Sequence, residues 1–277
     1  MEKQIALPTK QPISLTEVKE HLRVETTDED DLLTAYIEAA TRMVEQNLNR
    51  SLVLTEYQKV FDYWPHDGGD HYSPHLSNLE RNAMFLEHPP VKQVDSITYV
   101  DGDGATQTLA AADYQVDLFR EPARIMPAWG KHWPTGVRYQ ANSITATYKA
   151  GYLIPFTVNT GTDVITTPGY SPSNGTRVRF STSGGLLPSP LSALTDYYVV
   201  SASGTSWSVS LTEGGASVDI TDAGGGLLFV GELPAVVSQA LKLLIGHWFW
   251  NREAVGSAGT EIELAYGSLL NAARWTL

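Results

Sequence analysis

No cysteine occurs in the 277 residues. That excludes disulfide staples, thiolate zinc sites and cysteine nucleophiles, leaves a fold held without covalent cross-links, and fits assembly in a reducing cytosol. Cations are scarce too: 19 Lys and Arg stand against 31 Asp and Glu, a formal charge of −12. Gripping nucleic acid through its phosphates needs clustered cations, which this composition does not supply. An acidic surface serves solubility, and it also repels a polyanion that has to slide past. The most apolar stretch, Leu241 to Trp250, is shorter than a bilayer span, and MEKQIALPTKQP has no signal-peptide core. The expectation is a soluble, unexported protein with no membrane partner. GxSxG, GxxxxGK[ST] and a dinucleotide fingerprint after a strand are all missing, which argues against the commonest catalytic and phosphate-binding frameworks.

What the chain has is 42% hydrophobic residues, enough for a core in one large domain or two small ones. PISLTEVKEHL sets Ser14 three residues before Glu17, the capping-box spacing, with Leu15, Val18 and Leu22 at helical intervals. In DEDDLLTAYIEAATRMVEQNLN, residues Leu33, Ile37, Ala40, Val44 and Leu48 form one apolar stripe, and Glu38 and Arg42 pair i,i+4 on the other side. A third helix is expected in LPAVVSQALKLLIGHWFWNRE, with Pro234 in its first turn. Val237, Leu241, Leu244 and Trp248 make one apolar row there, and Val236, Ala240, Leu243, His247 and Trp250 make the next. The tail ends with Leu269, Leu270, Trp275 and Leu277, and so apolar an end calls for a partner.

Strands are expected between the helices. TEYQKVFDYW alternates Tyr57, Lys59, Phe61 and Tyr63 against Val60 and Trp64. AMFLEHPPVKQVDSITYVDGDGATQTLA reads as a strand, a Pro89-Pro90 break, a strand through Ile97 and Tyr99, a DGDG turn and a return strand. SITATYKAGY sets Ile144, Ala146 and Tyr148 against Thr145 and Thr147. From about Thr157 to Val230 the chain turns rich in Gly, Ser and Thr, with Arg177 and Arg179 its only cations. RVRFST, DYYVVSAS, SWSVSLT and SVDIT are each expected to be strands, with Trp207, Val209 and Leu211 buried and the alternating serines wet.

Three clusters could carry chemistry, and each has a plainer reading. The carboxylates Asp28 to Asp31 could hold a divalent cation, but acids in a first helical turn complement the helix dipole and supply an N-cap. His66, Asp67, Asp70, His71 and His75 are ligand types, yet they lie in a Gly- and Pro-rich stretch without a metal-site spacing. His247 and Glu253 are too far around a helix, at about 100° per residue, to form a dyad. His247 in an apolar row reads as a hydrogen-bonded core histidine. No catalytic, cofactor or metal residue is expected.

Residues ISLTEVKEHLRVETTDEDDLLTAYIEAATRMVEQNLNRSL, LEHPPVKQVDSITYVDGDG, ARIMP, AGY and LPAVVSQALKLLIGHWFWNRE with its apolar tail together resemble the head-tail connector (adaptor) proteins of long-tailed bacteriophages. The resemblance implies an α+β protein: an α-helical connector core with a small antiparallel β part over residues 1–156 and 232–277. Into it, residues 157–231 would be inserted as an all-β, sandwich- or barrel-like module that typical members lack. It implies a virion structural protein, not an enzyme, assembled in the host cytoplasm as a ring of about twelve copies at the head-tail junction. Its partners would be the portal protein, the next connector, stopper or tail-completion protein, and its own copies, with DNA passing through the channel without specific binding. The implied portal and subunit interface is Trp248, Trp250, Arg252, Glu253, Leu269, Leu270, Arg274, Trp275 and Leu277.

Two other readings compete. The β module could bind carbohydrate or a host surface, with Trp207 and Tyr197 or Tyr198 as a stacking platform, although alternating strand positions favour core packing for those rings. A metal-dependent hydrolase would use His66, Asp70, His71 and His75.

Overall fold

The computed structural model describes residues 2–65, 82–138, 140–252, 266–269 and 271. The chain divides into two compact units, residues 1–7 with 54–151 and residues 8–53 with 152–277. The fold is mixed α+β, with antiparallel sheets in both units.

Unit one is built from β1 (Glu2–Gln4), β2 (Thr55–Phe61), β3 (Met84–Leu86), β4 (Val91–Val100), β5 (Thr106–Thr108), β6 (Tyr114–Asp117), β7 (Ala123–Pro127) and β8 (Ile144–Ala150). One sheet runs β1-β2-β8-β4-β5 and a second β3-β7-β6. β8 shows why the pairing holds: Ile144, Ala146, Tyr148 and Ala150 are buried and the intervening residues half-buried, a period of two that fits one covered face. They share a core with Met84 and Leu86 of β3 and Ile125 of β7, so the two sheets bury one set of side chains between them. Trp64 stacks flat on Trp133 at 4.7 Å in the same core. Tyr63, expected in β2, lies past the strand's end and is exposed. The DGDG turn forms where expected. Asp101 Oδ1 accepts the amide protons of Asp103 and Ala105, and Oδ2 accepts from Gln107.

Unit two contains α1 (Leu15–Leu22), α2 (Asp30–Leu48) and α3 (Ala235–Trp250), together with β9 (Ile154–Pro155), β10 (Thr157–Asn159), β11 (Val164–Thr166), β12 (Arg177–Val178), β13 (Phe180–Ser183), β14 (Tyr197–Ser203), β15 (Ser206–Ser210) and β16 (Leu227–Val230). The α2 stripe is buried as read, from Leu33 through Ile37, Ala40 and Val44 to Leu48. It meets Val237, Ala240, Leu241, Leu244 and Ile245 of α3, and Val18 and Leu22 of α1, in one cluster. Gly246 of α3 faces α1, and a Cβ there would come into van der Waals contact with Leu22 Cδ2 at 3.4 Å.

The strands of unit two divide between a sheet ordered β10-β11-β15-β14-β12 and a sheet ordered β13-β16-β9. Phe156, Tyr197 and Trp207 all lie within 6.4 Å, centroid to centroid, of the Phe180 ring, an aromatic core common to both sheets. Three expectations fail here. RVRFST is split at Arg179, with β12 in one sheet and β13 in the other. SWSVSLT is not half wet: Ser208 and Ser210 are buried beside Trp207 and Val209, while Leu211 is 61% exposed beyond the strand's end. β15 sits mid-sheet between β11 and β14 with both faces covered, so alternation of polarity does not report exposure there. SVDIT forms no strand, because Val218 donates its amide to Val209 and Ile220 donates to the Asp163 side chain instead of a continuous partner.

The capping box of α1 is completed from a distance. Ser14 Oγ accepts the Glu17 amide at 3.1 Å, but the Ser14 amide donates to Ser183 Oγ of β13 at 2.8 Å, and the Ser183 hydroxyl in turn donates to the Glu17 carboxylate. Glu17 Oε1 also pairs with Lys242 of α3 at 2.5 Å. Gly184 makes room for this: it has φ +68°, and a Cβ there would sit 2.1 Å from Ser14 Oγ. The acidic run at the start of α2 supplies no such cap, since its N-cap residue Glu29 makes no side-chain capping bond. Pro234 likewise lies one position outside α3, with ψ 132° and only its carbonyl joined to the helix. Replacing Ser14 by Ala should cost about 1 kcal/mol through the lost cap. Gly184→Ala should cost more than about 1 kcal/mol, because it adds a side chain at positive φ and pushes Ser14 off Glu17. Both are read as a fall in the urea midpoint, and an unchanged midpoint for Gly184→Ala would contradict the relay.

Candidate functional site

The candidate site forms where the end of α3 meets the start of α2. Trp248 is half-buried and meets Tyr36 of α2 edge to face at 5.9 Å. Phe249 packs against the helical core, and Trp250 stands edge-on to it at 5.3 Å while remaining 72% exposed. The helix then ends on Asn251, whose side chain donates to the His247 carbonyl and lies 3.1 Å from His247 Nδ1. His247 is therefore a half-buried residue held at a helix end, not the core histidine its row suggested.

Arg252 folds back over this end. Its guanidinium lies 5.2 Å from the centre of the Phe249 ring and bonds Glu29 Oε1 at 2.8 Å. The Glu29 carboxylate holds the Arg252 guanidinium above its ordinary range. Glu29 belongs to the acidic run once weighed as a metal cluster, and its neighbour Asp30 is spent on Lys19 at 2.6 Å. Asp28 and Asp31 are exposed. The run thus serves two ion pairs that tie the start of α2 to α1 and to the end of α3.

The tail returns to the helices. Tyr266 is buried and accepts a hydrogen bond from Asn47 of α2 at 3.0 Å, and Leu269 is half-buried against the same core. Part of the cover that so apolar a tail calls for thus comes from the chain's own helical core. Of the proposed interface, Trp248, Trp250, Arg252 and Leu269 can be placed, while Glu253, Leu270, Arg274, Trp275 and Leu277 lie outside the described residues. So do His66, Asp67, Asp70, His71 and His75. The aromatic platform of the carbohydrate reading is internal: Trp207 and Tyr197 are buried, and the indole of Trp207 donates to Thr167 Oγ1 at 2.8 Å. Tyr198 is half-buried.

Sequence reasoning did not find Tyr36 and Glu29 as partners of Trp248 and Arg252, since each pair spans more than two hundred residues of chain. It also passed over Phe119, at the turn between β6 and β7, and Trp129 just after β7, both fully exposed. Their only sequence signal is a bulky ring between turn residues.

One family match begins at the helices of unit two and runs on through β2 of unit one. Residues 12–75, which include α1 and α2, match the model for the Phage gp6-like head-tail connector protein family. The match takes in less than a quarter of the 277 residues. Three solved structures share the fold of this chain at low identity. They are chains from the neck of an empty gene transfer agent (GTA) particle computed with C6 symmetry (17% identity, TM-score 0.51), the virion of a native GTA particle (16%, 0.53), and the neck of a native GTA particle computed with C12 symmetry (15%, 0.52). In each case the match covers 100% of this chain and 96% of the other, so it runs through residues 157–231 as well as the helices. No curated protein matches the chain. Among the described residues, no helix is long and apolar enough to cross a membrane.

Packing separates the two tryptophans of the site. Trp248→Ala should destabilise the protein by about 2 to 3 kcal/mol, since it strips a half-buried ring from Tyr36 and the core. Trp250→Ala should leave the urea midpoint within about 0.5 kcal/mol, because the ring it removes faces solvent. Equal losses for both would show that Trp250 is a packing residue.

Proposed function

We propose that the chain is a structural head-tail connector of a virion neck, assembled as a ring of about twelve copies that docks on a portal and joins the head to the next connector or tail component. The match of residues 12–75 to the connector family carries this reading, and the full-length fold likeness to GTA particle chains supports it. Residues 1–156 with 232–277 act as the connector core, and residues 157–231 act as an all-β module inserted into it. The ring leaves a channel for DNA, and the −12 charge suits a wall that phosphates must pass without sticking. No catalytic step belongs to this role. The protein works at the head-tail junction after assembly in the host cytoplasm.

For the portal-facing surface we propose Trp250 with Trp248, Arg252, Glu253, Leu269, Leu270, Arg274, Trp275 and Leu277. Trp250 is a solvent-facing aromatic at a helix end, the kind of side chain that anchors a protein interface. Arg252 and Leu269 are already engaged within the chain, so they position this end as well as border it.

Electron microscopy of the purified protein, alone and mixed with a portal protein, tests the reading. Rings coaxial with the portal are expected, and a persistent monomer that ignores the portal would sink it. Removing residues 262–277 would also strip the buried Tyr266 from the helical core, so the clean truncation removes only 272–277. That truncation should abolish portal docking with the urea midpoint unchanged, and undiminished docking would refute the role given to the tail.

A further inference from the structure

Glu2 occupies a position that a charged carboxylate does not hold without compensation. Its side chain is only 7% exposed on the edge strand β1, and neither carboxylate oxygen has a hydrogen-bond donor among the described residues. The groups facing it come from two places. Lys59 reaches from β2, and Glu87 and His88 come from the turn between β3 and β4. Lys59 Nζ is committed to Glu87 Oε1 at 2.5 Å, and His88 Nε2 stands 3.6 Å from Glu2 Oε2. The His88 ring is itself stacked on Tyr57 at 4.7 Å, so it is fixed in place. Glu2 therefore lies beside a second carboxylate whose counterion is already in use.

A proton resolves this arrangement. With Glu2 in its acid form, its O–H can donate to the ionised Glu87, giving a chain of Lys59 ammonium, Glu87 carboxylate and Glu2 acid. Burial first, and then the neighbouring Glu87, push the Glu2 carboxyl up to about 8, against smaller opposing pulls from Lys59 and the amino terminus. Glu87 is held below the usual carboxylate range, chiefly by Lys59. Burial lowers His88 below its ordinary value of 6.5, so the imidazole is neutral above that pH.

We infer that β1 is a latch held by a proton: Glu2 docks the strand on β2 while it shares a proton with Glu87, and loss of that proton releases the strand. The geometry makes β1 the element that yields. It pairs over three residues, Glu2 with Lys59, Lys3 with Gln58 and Gln4 with Tyr57, followed by one further bond from the Ile5 amide to the Glu56 carbonyl. Ile5 and Leu7 beyond it are exposed and add little anchorage. β2, by contrast, pairs on its other side with β8 over seven residues and stays in the sheet. Release turns β2 into the free edge of the sheet.

The sign follows from linkage. A released Glu2 titrates near 4.5 and a docked one near 8, so the docked state binds the extra proton and docking weakens as pH rises between those values. Burial keeps the docked His88 mainly neutral from pH 6.5 to 8, so Glu2 is the group of the docked cluster whose proton is at stake over that range.

Hydrogen exchange of the intact protein reads the latch. The protection factor of the Ile5 amide should fall by about tenfold from pH 6.5 to 8, while amides of the β4 and β8 ladder stay level. In Glu2→Gln, whose neutral amide can still donate to Glu87, the Ile5 protection factor should be level over the same range. In Glu87→Gln the fall should move to lower pH, because the second carboxylate is gone. The same pH slope in wild type and Glu2→Gln, or an unmoved fall in Glu87→Gln, would overturn the inference.

Discussion

The helical layer of unit two is hung on Glu17. α1 is only 8 residues long, too short to persist as an isolated helix. Its start is fixed by a hydroxyl from β13, and the residue that completes the cap is the one that holds Lys242 of α3. Three elements from three distant parts of the sequence thus meet at one carboxylate. A partly exposed ion pair adds little stability by itself, but a carboxylate with a hydroxyl on one oxygen and an ammonium on the other fixes direction. Direction is what α1 needs, because Val18 and Leu22 reach the shared core only if the helix enters at the right angle.

Around that joint several charged residues of the helices and their ends are paired within unit two. Asp30 takes Lys19, Glu29 takes Arg252, and Glu38 takes Arg42. In sequence, the Asp28 to Asp31 run offers a divalent-cation cluster or, more plainly, a helix-dipole complement and N-cap. In the fold half of it staples helices together. Trp250 is left as an outward aromatic at an end that is otherwise tied down.

Periodicity made the helices and the one-faced strands legible. The α2 stripe and the alternation of β8 both appear as read, because each element has one wet side and its polarity reports that side. Where this condition fails, so does the reading: β15 is covered on both faces, and its serines are buried by neighbouring strands that local sequence does not reveal. Extended segments such as SVDIT have strand composition without a ladder, since pairing depends on what lies alongside. The candidate site was visible as a cluster of rings and charges. Its partners Tyr36 and Glu29 were not, because contacts between segments more than two hundred residues apart leave no spacing to read.

The bond between Asn47 and Tyr266 joins residues 219 apart, and it sets an order of events during synthesis. Unit one is complete in sequence once Gly151 has emerged, whereas the helical layer of unit two waits for α3 and Tyr266. Domains fold as units in the order their sequence becomes available, so on the ribosome α1 and α2 spend the translation of nearly two hundred further residues with their apolar stripes unpartnered by α3.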